Sequence, residues 1–108
     1  MINTSFYVNP KGELLGFRIV GHSGYSEQGS DIVCAAVSSA VQFAECTIND
    51  VLGNHVNVKT NPDEPRVTLT LPAVCDDEDT VQAVLTGFTL TMCALRDDYP
   101  DYIEVMEV

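Results

Sequence analysis

The chain has 108 residues, sixteen acidic and five basic, for a net charge of -11 at pH 7. That length suits one domain burying roughly 65% of its unfolded surface, and 45% apolar residues exclude a disordered chain. The acidic balance argues against binding phosphate backbones or anionic lipids and suits a basic polypeptide partner.

The opening MINTSFYV has neither a basic stretch nor an apolar core, so it does not read as a signal peptide. No long uncharged apolar run predicts a membrane span, and the expected location is the cytoplasm. Ile2, Ser5–Val8 and Leu14–Val20 read as two strands. Asn9-Pro10-Lys11-Gly12 between them has hairpin chemistry, with proline presetting one angle and glycine accepting a positive one.

Gly21–Ser30 reads as a polar loop, and from Asp31 the pattern becomes helical. Ile32, Val33, Ala36, Val37, Ala40, Val41, Phe43, Ala44, Ile48 and Val51 recur at spacings of three and four, and Gly53 closes the run. Val56–Lys59 and Arg66–Leu71 are two further strands around the turn-rich Asn61-Pro62-Asp63-Glu64-Pro65. Acidic Asp76–Asp79 sit where a helix N-terminus favours negative charge, before a second apolar helix from Val81 to Leu95 that Pro100 stops. Tyr102–Met106 is a last strand. The order ββαββαβ predicts an α+β fold, a mainly antiparallel sheet carrying two helices.

The four cysteines, Cys34, Cys46, Cys75 and Cys93, show no C-x-x-C and no histidine at ligand spacing, so neither a metal nor any other cofactor is expected. Without an export signal they read as thiols rather than disulfides. Cys34 differs from the others by its setting. With Asp31 (or Ser30) as the N-cap, it falls in the first helical turn, where unsatisfied amides and the positive dipole end favour a thiolate.

His22 opens the preceding loop, and twelve residues are ample to fold it back toward the helix start. Gly21, Gly24 and Gly29 give that loop permissive geometry, and Ser38 lies one turn beyond Cys34 on the same face. A thiolate–imidazolium pair could attack a carbonyl, with helix-start amides holding the oxyanion. The residues alone leave two other readings open: a core cysteine beside an ordinary turn, and a phosphate loop, though G-x-x-x-x-G-K-[ST] is absent. Cys46 and Cys93 read as inert, Cys93 as core. Cys75 precedes acids that would raise its pKa, and His55 reads as a surface residue.

The runs G-H-S-G-Y from Gly21, D-I-V-C-A-A-V-S from Asp31, and Y-P-D-Y-I-E-V from Tyr99 resemble the ribosomal-processing cysteine protease (Prp) family of bacteria, over essentially the whole chain. The resemblance implies a dimeric α+β endopeptidase that removes a short N-terminal extension from a large-subunit ribosomal protein. It implies Cys34 as nucleophile and His22 as general base, with Asp31 and Ser38 beside the site and a mobile segment from Gly21 to Gly29. Ser23 stands where the family often has alanine, and Ser26 replaces a small apolar residue. No third residue to orient His22 is evident, so a dyad is expected. The rival reading is a non-catalytic ribosome-assembly module that holds a basic protein on its acidic surface. A thiol redox sensor lacks an obvious resolving cysteine.

Overall fold

The structure is a computed structural model that describes residues 1–21, 28–61 and 66–107, with the backbone alone for 28–31. Its elements are β1 (Ile2–Val8), β2 (Leu14–Val20), α1 (Gln28–Cys46), a π-helical turn (Thr47–Val51), β3 (Asn57–Asn61), β4 (Arg66–Thr70), α2 (Glu78–Asp98) and β5 (Ile103–Glu107). The expected α+β order holds. The five strands form one sheet in the order β3-β4-β2-β1-β5, antiparallel except for the parallel pair β1–β5.

The first hairpin forms for the reason its turn residues suggest. Asn9 Oδ1 accepts from the backbone N–H groups of Lys11 and Glu13, each at 2.9 Å, and Gly12 takes φ +83°. Strand pairing then sets which side chains share a face. Phe6 pairs Phe17, Thr4 pairs Ile19, Leu69 pairs Phe17 and Ile103 pairs Ile2, so all of these point one way, and all are buried.

Both helices bury their apolar stripes in that same core: Val33, Val37 and Ala44 from α1, and Val81, Leu85, Phe88 and Met92 from α2. Phe88 stacks on Phe17 with ring centroids 4.3 Å apart and meets Phe6 edge-on at 6.0 Å. A further link is polar. Gln82 of α2 mimics a strand partner, donating to the Leu14 carbonyl and accepting from the Leu14 N–H, both at 2.8 Å.

Two expectations need correction. First, α1 starts at Gln28, not Asp31. Apolar periodicity reports where a helix meets the core, here at fully buried Val33, rather than where its hydrogen bonding begins. Second, not every apolar residue of the two helical patterns is core: Ile32, Phe43, Val51 and Leu90 are exposed, and Cys93 is half-buried outside the core cluster. Ile32–Val51, although it carries Glu45 and Asp50, is long and apolar enough by composition to cross a membrane, with a mean hydropathy of 1.3. In this fold its Val33, Val37, Ala44 and Ile48 pack in the core.

Beyond Cys46 the helix widens into the π-turn, with Thr47 Oγ1 donating to the Phe43 carbonyl at 2.7 Å and Ile48 fully buried. Gly53, at φ +76°, ends the run as expected.

Candidate active site

A cleft of about 600 Å³ opens between one side of α1 and the β3–β4 part of the sheet. Cys34 and Ser38 stand one turn apart on the α1 wall, and Gly21 closes the β2 end. Ile19, Val58 and Val67 contribute apolar surface below them. Cys34 is half-buried and packs against the hydrophobic core, whereas Ser38 is exposed. A thiol fixed by packing at the edge of an apolar cleft is placed to meet a bound chain.

Gly21 holds its place for two reasons. Its φ is +94°, and a Cβ there would lie 2.5 Å from the Met1 carbonyl oxygen. The start of β1 and the end of β2 therefore approach each other only because this position carries no side chain.

Of the other expected site residues, His22, Ser23 and Gly24 lie outside the described residues. Gly29 and Asp31 belong to the first turn of α1. Asp31 is thus inside the helix rather than its N-cap, and Cys34, counted from Gln28, is its seventh residue rather than a first-turn one. The orphan amides of a helix are its first four, and its end field decays within the first turn. That field acts on residues 28–31, one turn ahead of Cys34.

All four cysteines are thiols. The exposed Cys46 thiol has a raised pKa, first through its side-chain hydrogen bond with Asp50 and further through slight desolvation and the Asp50 and Glu45 charges. The Cys75 thiol is also raised, first by burial and then by Glu78 and Asp76, so burial outweighs the acidic neighbours that sequence pointed to. A raised thiol pKa leaves less thiolate at neutral pH at both positions. His55 is exposed, as expected. Among the described residues no group of three or more His, Cys, Asp or Glu side chains could hold a metal ion.

The cleft also gathers Gln42, Glu45, Asn61 and Arg66, which the sequence reading did not single out. Gln42 and Glu45 continue the Cys34–Ser38 face at positions +8 and +11, a spacing visible in the sequence. Asn61 and Arg66 arrive through strand order, which has no local signature.

The sequence model of the family described as Cysteine protease Prp matches residues 1–104. The chain belongs to this family. The ribosomal processing cysteine protease Prp of Staphylococcus aureus is 26% identical over 106 residues, covering 97% of each chain. That of Bacillus subtilis is 26% identical over 94 residues, 85% of this chain and 84% of the relative. The fold also matches a crystal structure of S. aureus Prp in complex with a covalently linked product peptide, with a TM-score of 0.87, 19% identity and full coverage of both chains.

Proposed function

We propose that this Prp-family chain acts as a single catalytic domain, a cysteine endopeptidase that removes the short N-terminal extension of a bacterial large-subunit ribosomal protein. Cys34 is the nucleophile and His22 the general base. The observation that carries this reading is the placement of the Cys34 thiol in the wall of a peptide-sized apolar cleft. His22 is joined by one peptide bond to Gly21, which closes the same cleft. The family match and the relatives' names, both of ribosomal processing proteases, support the substrate class.

In the reaction His22 takes the Cys34 proton, and the thiolate attacks the scissile carbonyl carbon. The tetrahedral intermediate collapses to a thioester as the C–N bond breaks, and imidazolium gives its proton to the departing amine. Water, deprotonated by His22, then attacks the thioester and releases the carboxylate product and the thiol. Because the helix-end field acts one turn before Cys34, thiolate formation in this scheme depends chiefly on the imidazole. Ser38, one turn along the wall, supports the site, with Asp31, Ser23, Gly24 and Gly29 beside it. The enzyme is proposed to work in the cytoplasm as a homodimer, without cofactor, nucleic acid or membrane.

The test is incubation with the host's own extended ribosomal protein, followed by intact-mass measurement. The shortened product should form with the parent enzyme, vanish with Cys34→Ala and nearly vanish with His22→Ala. Full cleavage by Cys34→Ala would overturn the assignment. Binding without cleavage by the parent enzyme would favour a non-catalytic assembly role.

A further inference from the structure

The Cys34 cleft has a direction. Along its α1 wall, Cys34, Ser38, Val41, Gln42 and Glu45 fall on one helical face. The eleven steps from Cys34 to Glu45 rise about 16 Å at ~1.5 Å each. An extended peptide advances about 3.3 Å per residue, so some five substrate residues span the wall.

The cleft holds two charged side chains among the described residues. Arg66 pairs with Val20, the residue before Gly21. Glu45 stands three helical turns along α1 from Cys34 and is the only acidic side chain lining the cleft among the described residues. It is half-buried, and no described residue forms a hydrogen bond or ion pair with its carboxylate. The apolar surface of the cleft weakens solvent screening of a charge brought there. A carboxylate partly withdrawn from water gains from a cation and loses from a second anion.

We infer that Glu45 is a specificity-determining residue that selects a lysine or arginine side chain about five residues from the cleaved bond. This rests on Cys34 being the nucleophile that holds that bond. Glu45 acts on binding rather than on the chemical step, so its effect falls on KM more than on kcat. It gives the enzyme a basis for choosing basic chains, local to the cleft and separate from the net charge of the whole molecule.

The test uses synthetic peptides spanning the cleaved N-terminus of the host's extended ribosomal protein. Each residue four to six positions from the bond, on either side, is replaced in turn by Lys, Gln or Glu. At one position the parent enzyme should prefer Lys over Gln over Glu, with roughly tenfold in kcat/KM between neighbouring choices. Glu45→Gln should flatten that order, and Glu45→Lys should reverse it. Equal discrimination by the parent enzyme and Glu45→Gln would overturn the inference. The same peptides are also titrated against Cys34→Ala by fluorescence anisotropy. A Glu45-dependent charge order in binding without any cleavage by the parent enzyme would support recognition by Glu45 while removing the nucleophile. No charge order in binding would overturn the recognition, whether or not cleavage occurs.

Discussion

Asn54 and Asp76 hold each other in a two-way clasp. Asn54 Nδ2 donates to the Asp76 carbonyl at 3.0 Å, and the Asp76 N–H donates to Asn54 Oδ1 at 2.7 Å. The Asn54 residue is only 5% exposed, so water is poorly placed to replace either bond. The clasp ties the turn after α1 to the approach to α2. Asn54→Ala should cost about 2–3 kcal/mol, because it strands two backbone groups near a buried site. Urea unfolding would show this as a lower midpoint at unchanged slope, and a loss below about 0.5 kcal/mol would contradict it.

Phe88 anchors α2 to the sheet through its stack on Phe17 and its edge contact with Phe6. Phe88→Ala should cost about 3–5 kcal/mol, combining lost burial with an incompletely filled cavity. Phe88→Leu keeps much of the volume but not the stack, so about 1–2 kcal/mol is expected. Thermal unfolding of the two variants should place them in that order.

Gly21 admits no side chain without strain, since its φ is +94° and a Cβ would press on the Met1 carbonyl. Gly21→Ala should cost about 1–3 kcal/mol in stability. The Met1–Gly21 approach also borders the Cys34 cleft, so peptide cleavage should fall by more than the loss of folded enzyme explains. Activity per folded molecule, with the folded fraction taken from circular dichroism, separates the two effects. Unchanged activity per folded molecule would show that the cleft tolerates the shift.

Much of this fold was legible because its signals are local. The turn-rich 61–65 segment marked the start of β4, Asn9 and Gly12 marked the first hairpin, and Val81, Leu85, Phe88 and Met92 marked the buried face of α2. The start of α1 was missed because residues 28–31 lie ahead of the apolar run that begins at Ile32, and periodicity registers only such a run. The site was half legible. Cys34 and Ser38 share a helix, so spacing alone placed them together. Arg66 and Asn61 reach the cleft through the order β3-β4-β2, a long-range arrangement with no mark in the adjoining sequence. Glu45 had the right spacing but looked like any other helix carboxylate until the opposite wall was in place.

Cys46 offers a separate check on how local charge governs thiol reactivity. It is exposed, yet its hydrogen bond to Asp50 is the largest cause of a raised pKa, with the Asp50 charge acting in the same direction. A raised thiol pKa means less thiolate at neutral pH, so Cys46 should alkylate slowly despite its exposure. Its rate should level off at a higher pH than that of an unperturbed thiol. Asp50→Ala removes both the acceptor and the charge, which should raise the rate at pH 7.5. A time course of iodoacetamide labelling read by peptide mass spectrometry measures this directly. Equal rates in the two proteins would show that Asp50 does not control this thiol.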